Sequence, residues 1–273
     1  YGGAPLDPFE VFPFHTCSTI GRLLFGDLMP PEGEVRAFTR CLVELLEVWG
    51  SASVRALDLL PALRGSPTRG HMALVDLFIG GTETTAAALA WAGAFLLHRP
   101  EVPPAGHCRV PMRLGPDGTP QPGDTGRLPL LHATVTETLR LRPPAPLALP
   151  HCARRHTSVG GIPVPAGSIL VPNLLAAHQD PDTWHHPEAF LPERFLVPGA
   201  PWRALVPFGC GARSCLGEGL ARAELFVFLG RLLQEFRLEP PTPGSLPHLG
   251  VTAGTVLRCP PFRVRMVPCA PSA

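Results

Sequence analysis

The residues with the clearest chemical meaning lie between Phe208 and Gly217, where the sequence reads FGCGARSCLG. This stretch fills every fixed position of the pattern F-x-x-G-x-R-x-C-x-G. Its glycines allow the backbone to pass close to a flat ligand. Cys215 stands at the start of a predicted amphipathic helix, where backbone amides and the helix dipole favour a thiolate, the form of cysteine that ligates metals. The pattern therefore predicts a metal-bound thiolate at Cys215, and a buried structural thiol is the alternative.

An acid and an alcohol lie next to each other inside the longest apolar run, Met72–His98, in the sequence GGTETT that begins at Gly80. Two glycines cost about 1 kcal/mol each relative to alanine inside a helix, unless the helix must widen or another group must approach it closely. Glu83 and Thr84 follow these glycines and form a pair suited to moving protons. A helix N-cap at Thr82 or Thr84 is the alternative interpretation.

A third pattern, Glu137-Thr-Leu-Arg140, places an acid and a base three residues apart and so on one face of a helix. Taken alone, this spacing usually marks a surface ion pair. A further arginine follows in Pro192-Glu-Arg194-Phe, and both patterns precede Cys215 in the chain. The order of the three patterns is the stronger signal.

Segments with helical apolar spacing carry these groups. They are Arg36–Trp49, Met72–His98, Leu130–Arg142 and Leu220–Phe236. Strands are predicted at Ser168–Val171 and Thr255–Val267, the second folded at Pro260-Pro261. The proline-rich stretch Arg99–Arg127 excludes a regular helix, and Arg64–Gly70 reads as an abrupt bridge between two helical regions. The prediction is a mainly α fold with small β-sheets.

The composition narrows the class of protein further. The chain is 45% hydrophobic and 16% charged, which is typical of a globular protein. Its 23 basic residues, all arginine, are scattered, so nucleic acid is not an expected partner. The eight cysteines contain no CxxC pair, which argues against a zinc finger or a disulfide scaffold, and most are expected to be reduced. Asp76 and Glu83 interrupt the longest apolar run and favour a buried helix over a membrane span.

In this order, the motifs resemble those of the cytochrome P450 superfamily. The resemblance implies that Cys215 is the axial ligand of a haem b iron, with Phe208, Gly211 and Gly217 shaping the loop beneath the haem. The thiolate would favour cleavage of the O–O bond. The chain would be one incomplete domain of that fold over residues 1–273, helical at 15–98, irregular at 99–127 and haem-binding at 128–267.

The resemblance also assigns roles to residues outside the cysteine loop. It implies that Arg213 and His151 bind the haem propionates, although a lone histidine is often only a surface or core residue. Glu83 and Thr84 would relay protons to dioxygen at the haem. The remaining implied group is a buried ion network on the cysteine side of the haem, made of Glu137, Arg140 and Arg194.

Within the superfamily, three segments resemble vertebrate enzymes that hydroxylate steroids at carbon 21: His71–Thr85, Pro146–His151 and Arg203–Phe236. The resemblance implies a steroid substrate, progesterone or 17-hydroxyprogesterone, and electrons from NADPH through NADPH-cytochrome P450 reductase. It also implies membrane association of the full-length protein in the endoplasmic reticulum. Hydroxylation at carbon 17 is the nearest alternative, because motif spacing does not separate two steroid pockets.

The sequence also departs from the superfamily pattern. The N-terminal half of a superfamily member, including the membrane anchor, has no counterpart in this sequence. Many residues that the superfamily has between Arg64 and Gly70 are also missing. A second hypothesis therefore stands beside the enzyme: a non-catalytic remnant that at most binds haem.

Overall fold

The computed structural model describes residues 4–49, 69–102, 118–252 and 256–269. The α-helices, in chain order, are α1 (Pro8–Phe25), α2 (Glu32–Trp49), α3 (Arg69–His98), α4 (Pro129–Leu141), α5 (Leu174–Gln179) and α6 (Glu218–Glu235). The strands are β1 (Pro5–Leu6), β2 (His151–Cys152), β3 (Thr157–Val159), β4 (Ile162–Val164), β5 (Ile169–Leu170), β6 (Phe236–Glu239) and β7 (Val264–Pro268). Short 3-10 helices lie at Gly26–Leu28, Pro122–Gly126, Pro192–Phe195, Trp202–Ala204 and Gly211–Arg213. The predicted fold class, mainly α with small sheets, is confirmed.

Helix α3 forms the centre of the core and packs against α1, α4 and α6. From Ala86 to Leu97 it is apolar on nearly every face, as expected of a helix surrounded by protein. Trp91 and Phe95 are at most 2% exposed, and their rings stack at 5.6 Å. Within the described ranges, no helix combines the length and hydropathy needed to cross a membrane. The expectation of a buried helix is therefore met from Thr82 onward, whereas Leu74 and Leu77 nearer its start are 37% and 42% exposed.

Helix α1 is the main element that apolar spacing did not predict, although residues 15–25 fall in the region 15–98 that the resemblance predicts to be helical. Asp7 caps it by accepting a hydrogen bond from the Phe9 N–H at 2.8 Å, and Pro8 occupies the first helical position, where proline is well tolerated. Pro13 lies inside the helix and obscures its periodicity in the sequence. Tertiary packing compensates, because α1 runs along α3.

The other helices lie close to their predicted positions, with some differences at the ends. Helix α2 begins at Glu32 rather than at Arg36, while α4 and α6 each begin and end within two residues of their predictions. The apolar spacing of Arg36–Trp49 predicts one apolar face that carries Phe38, Leu42 and Leu45. On α2, Leu42 is buried, but Phe38 and Leu45 are 44% and 39% exposed. Its predicted apolar face is thus only partly covered. The side chains of residues 46 and 49 lie outside the described set.

The sheets are small and antiparallel. Strand β7 pairs with β1 on one side and β6 on the other, β2 pairs with β5, and β3 with β4. The strand predicted at Ser168–Val171 is confirmed as β5. The strand predicted over Thr255–Val267 was too long, since among its described residues, 256–267, only those from Val264 onward belong to a sheet strand. Pro260 and Pro261 have no N–H to donate to a ladder, which limits the strand to the residues after them.

The proline-rich stretch Arg99–Arg127 contains no α-helix in its described parts, 99–102 and 118–127. A 3-10 helix at Pro122–Gly126 is capped by Asp124, which accepts from the Gln121 N–H at 2.9 Å. The predicted bridge Arg64–Gly70 lies outside the described residues up to 68, and Arg69 and Gly70 already belong to α3. The bridge was therefore predicted two residues too long.

Candidate functional site

The cysteine loop is closed by its own backbone. The Cys215 N–H donates to the Phe208 carbonyl at 2.9 Å, so the first and last parts of the motif are held together. Gly211 has a φ of 71°, a conformation that a residue with a side chain adopts only with strain. Gly217 caps α6, which places Cys215 two residues before the cap rather than inside the helix. The sulfur is thus presented by a loop at a helix N-terminus.

The environment of Cys215 fits a thiolate-ligated haem. The thiol is free and exposed, and the neighbouring Leu216 is 93% exposed, so a large planar group can reach the sulfur and cover an apolar side chain. A Cβ added at Gly217 would lie 4.0 Å from the sulfur, an ordinary van der Waals contact. Thiolate is a ligand suited to haem iron. The alternative of a buried structural thiol is wrong for Cys215.

Arg213 and His151, the expected propionate ligands, are both exposed. Arg213 ends the 3-10 helix of the cysteine loop, two residues before Cys215. His151 lies in β2 opposite Leu170. Both side chains are therefore accessible to an anionic group, and their roles stay predictions.

The acid and alcohol of α3 have different environments. Glu83 is 4% exposed, and its Oε1 lies 2.5 Å from Nε of Arg258. Thr84 is half-buried, and its hydroxyl donates to the Gly80 carbonyl at 2.6 Å. That bond leaves the hydroxyl oxygen able to accept a hydrogen bond. Both residues lie well inside α3, so the N-cap interpretation of Thr82 and Thr84 is wrong.

The two glycines before Glu83 serve different purposes. A Cβ at Gly81 would collide with Ile20 of α1, 2.7 Å from its Cγ1, so Gly81 permits close contact between two helices. A Cβ at Gly80 would have no atom within 4 Å, so this glycine faces open space on the side of Thr84. The helix is not widened, because α3 is α-helical throughout. Ile20 thus makes a close approach at Gly81, and the approach of dioxygen to this stretch, which the resemblance implies, stays a prediction.

The three residues of the expected ion network lie together. Arg140 binds Glu137 through two hydrogen bonds of 2.8 Å, and both side chains are fully buried. Arg194 reaches the same carboxylate with its Nε 3.2 Å from Oε1. The Leu191 N–H also donates to that oxygen at 2.9 Å. These bonds compensate for the cost of burying the charges.

Backbone carbonyls satisfy the remaining donors of the network. Arg140 donates to the carbonyls of His178 and Pro187 at 2.6 and 2.8 Å. Arg194 donates to the carbonyls of His185 and His186 at 2.6 and 3.0 Å. The network thereby fastens the segment after α5 to α4. The side chains of His185 and His186 are exposed.

A buried histidine beside this network was not predicted from the sequence. His178 on α5 has no solvent exposure, and its Nε2 accepts from the Val206 N–H at 2.9 Å. Burial, with the nearby Arg140 charge, lowers the pKa of His178 to about 4. It therefore stays neutral at physiological pH. A lone histidine in a short helix gives no pattern by which the sequence could reveal it.

A second unpredicted titratable group is Glu224 of α6. Burial raises its pKa to about 7, while a hydrogen bond with Thr19 of α1 acts in the opposite direction. Its Oε1 is buried without a hydrogen-bond partner. The only sequence signal is an acid among apolar residues of an amphipathic helix. No group of three or more possible metal ligands occurs among the described residues.

Comparison with known proteins agrees with this geometry. A family profile described as Cytochrome P450 matches residues 69–266. The chain belongs to this family. Members carry a haem with a cysteine ligand, which is therefore the cofactor that the family implies. Helices α3, α4 and α6, the cysteine loop and the buried ion network all lie within the matched residues, whereas α1 and α2 precede them.

Several relatives are named steroid 21-hydroxylase. The chain is 42% identical to steroid 21-hydroxylase of Felis catus over 330 aligned positions, and 39% identical to that of Homo sapiens over 333. Each alignment covers 97% of this P450 chain and 66% of the relative. The chain thus spans just under two thirds of the length of the curated relatives it matches.

Solved P450 structures resemble the fold closely. A zebrafish cytochrome P450 with progesterone gives a TM-score of 0.84 at 31% identity, covering 98% of this chain and 73% of that structure. A zebrafish cytochrome P450 with abiraterone gives 0.67 at 35% identity, covering 93% and 64%. Both comparisons place the chain within the P450 fold.

Proposed function

We propose that this P450 is a haem-thiolate monooxygenase that hydroxylates a steroid at carbon 21, with progesterone or 17-hydroxyprogesterone as substrate. The observation that carries the proposal is the free, exposed thiol of Cys215, presented at the N-terminus of α6 in a P450 cysteine loop. Relatives of about 40% identity that are named steroid 21-hydroxylase support the substrate and the position. One oxygen atom of dioxygen enters a C–H bond, and two electrons and two protons reduce the other to water.

The chain's own residues divide the work. Cys215 holds the haem, which when bound supplies the centre where dioxygen is activated. Arg213 and His151 are positioned on accessible surfaces where they can pair with propionates, with Arg213 offering a planar fork of donors. Phe208 and Gly211 keep the cysteine loop closed and turned, which would hold Cys215 in place to bind the haem.

Glu83 and Thr84 supply the proton route. Glu83 is an acid inside an otherwise apolar helix, and Thr84 has a hydroxyl oxygen free to accept while its proton bonds the Gly80 carbonyl. A water or the oxygen substrate can fit over Gly80, where a side chain would find open space. Proton delivery of this kind contributes typically 10²–10⁴-fold to a rate.

The buried network has a positioning role in this scheme. Glu137, Arg140 and Arg194 fasten the segment before the cysteine loop to α4, and so hold the cysteine side of the site in place. We assign the described residues to one domain, with its haem-binding part at 128–267. NADPH-cytochrome P450 reductase is the proposed electron donor, and the endoplasmic reticulum membrane the proposed location.

The experiment joins a spectrum to a product assay. The chain is reconstituted with haem, reduced and exposed to carbon monoxide, and the red-shifted absorption of a thiolate complex is expected. Cys215→Ser should abolish this absorption. Cys210→Ser, which changes another exposed free cysteine of the same loop, should preserve it. Both steroids are then incubated with the parent chain, the reductase and NADPH.

Mass spectrometry of the steroid distinguishes the possible outcomes. A product hydroxylated at carbon 21 supports the proposal, and one hydroxylated at carbon 17 supports the alternative enzyme. A normal thiolate spectrum without product would make this chain a haem-binding protein without hydroxylase activity. Persistence of the spectrum in Cys215→Ser would remove that residue as the ligand.

A further inference from the structure

Glu83 has an ion-pair partner that none of the sequence motifs includes. Nε of Arg258 lies 2.5 Å from Oε1 of Glu83, and the two side chains are 21% and 6% exposed. Because both side chains are largely shielded from water, solvent screens this attraction less than that of a surface ion pair. The Glu83 carboxylate thus has a charged partner at a defined position.

The backbone around Arg258 is held from two directions. Arg258 and Thr252 form an antiparallel bridge, with the Thr252 N–H donating to the Arg258 carbonyl at 2.9 Å. The preceding Leu257 donates its N–H to the Pro144 carbonyl at 2.8 Å and accepts from Nε1 of Trp91 at 2.9 Å. Trp91 belongs to α3 itself, two turns beyond Glu83. These bonds fix the backbone of Arg258 relative to α3, the helix that carries Glu83.

We propose that Arg258 is the positioning residue for Glu83, holding its carboxylate in the one orientation from which it can deliver protons beside Thr84. This inference rests on the proposed function and deepens it, because it names the residue on which the proton route depends. Arg258 acts only through Glu83. Thr84 needs no such partner, since its hydroxyl is already bonded within α3 to Gly80.

The competing interpretation is an ion pair that only stabilises the fold. The two differ in what arginine must provide. A positioning role requires a cation at this point in space, so Arg258→Lys should restore function that Arg258→Gln loses. A purely structural pair would change stability in both variants without changing how electrons and protons are used.

The test uses the single variants Arg258→Gln, Arg258→Lys and Glu83→Gln, and the double variant with glutamine at both positions. Arg237→Gln is the matched control, because Arg237 pairs with Glu239 at a more exposed position, 44% and 29%. Thermal unfolding of the haem-free chains measures the pair directly. Loss of the cation should lower the midpoint by about 4–8 °C, and much less when Glu83 is already glutamine, since no buried charge is then stranded. The double variant also provides a folded reference if Arg258→Gln folds poorly.

Two further readouts test positioning. With haem bound and carbon monoxide added, the carbon monoxide stretching band should be single in the parent and in Arg258→Lys, but broadened or split in Arg258→Gln, because Glu83 no longer has one orientation. Steroid product formed per NADPH consumed should fall about 10-fold in Arg258→Gln and recover to within about 3-fold of the parent in Arg258→Lys. Adding the arginine change to Glu83→Gln should cause no further loss.

The outcomes separate this inference from the proposed function. The carbon monoxide band needs neither steroid nor turnover, so it tests Arg258 even in a chain that makes no steroid product. A chain that takes up no haem contradicts the proposed function and the positioning role together, because the thermal cycle shows only that the pair stabilises the fold. Unchanged bands and product yields in Arg258→Gln, or an equal loss in the Glu83→Gln background, would overturn the positioning role.

Discussion

Two hydrogen bonds of 2.8 Å join the guanidinium of Arg140 to the carboxylate of Glu137, and neither side chain has any exposure to solvent. This fork holds a full positive and a full negative charge inside the protein. The remaining donors of Arg140 bond to backbone carbonyls, including those of His178 and Pro187. The pair thus links α4 to α5 and to the segment that follows α5.

Glu137→Ala should lower the free energy of unfolding by about 3–5 kcal/mol, because it leaves Arg140 buried without its counter-charge. Chemical denaturation of the purified chains measures this. Glu32→Ala is the control, since Glu32 pairs with Arg36 at the surface and contributes little. A similar, small change in both variants would mean that the buried pair contributes no more than a surface contact.

Thr84→Ala should preserve haem binding and divert electrons from steroid product to peroxide, because it removes a hydroxyl from the proton route without touching Cys215. Product, peroxide and NADPH consumption are measured at matched haem content. The shift should amount to roughly 10-fold or more in the product-to-peroxide ratio. Thr84→Ser, which keeps the hydroxyl, serves as the control. An unaltered ratio in the alanine variant would leave Thr84 as a helix residue bonded to its own backbone.

Glu224→Gln should stabilise the protein at neutral and alkaline pH. The folded pKa of Glu224, about 7, lies above its ordinary value of 4.5. The folded state therefore loses stability as pH rises from about 4.5 to about 7, up to about 3 kcal/mol. The gain of the glutamine variant over the parent should be small at pH 4.5 and large at pH 8.

Denaturant unfolding at the two pH values measures the Glu224 effect. Glu235→Gln, on the exposed part of the same helix, is the control and should show no comparable dependence on pH. A gain for Glu224→Gln that is the same at both pH values would indicate that the carboxyl titrates normally in the folded protein.

His178→Gln should reduce the loss of stability in acid. The folded pKa of His178, about 4, lies below its ordinary value of 6.5. The unfolded chain therefore binds the proton first, and stability falls as pH drops from about 6.5 to about 4. Between pH 7.5 and pH 4.5 the free energy of unfolding should fall by about 2–3 kcal/mol more in the parent than in His178→Gln. Denaturant unfolding of both proteins at the two pH values measures this effect. His185→Gln, at an exposed histidine, is the control. If parent and His178→Gln lost the same stability in acid, His178 would not be the buried, neutral histidine described above.

The elements that the sequence predicted well have strong local signals. Helix α3 is long and apolar, and Glu137 and Arg140 have a spacing that only a helix brings onto one face. The cysteine loop was recognisable because its glycines and Cys215 follow a fixed pattern. In each case the information lies within a few neighbouring residues.

The elements that the sequence did not reveal depend on contacts between distant segments. Helix α1 contains Pro13 and is stabilised by α3, far along the chain. Arg258 contacts Glu83 only in the folded protein. Glu224 likewise reaches Thr19 of α1 only after folding. The secondary-structure propensities of neighbouring residues do not depend on such long-range pairs, and tertiary packing can override them.

The unequal surroundings of Gly80 and Gly81 have a consequence for tolerance to mutation. A library that places every amino acid at each position should yield folded proteins with small side chains at position 80, where space is open. Position 81 should accept glycine almost alone, because any side chain must push α1 away through Ile20. Substitutions of Gly80 would thus be selected mainly by their effect on activity, and substitutions of Gly81 by their effect on folding. The two adjacent glycines would be constrained by different properties of the protein.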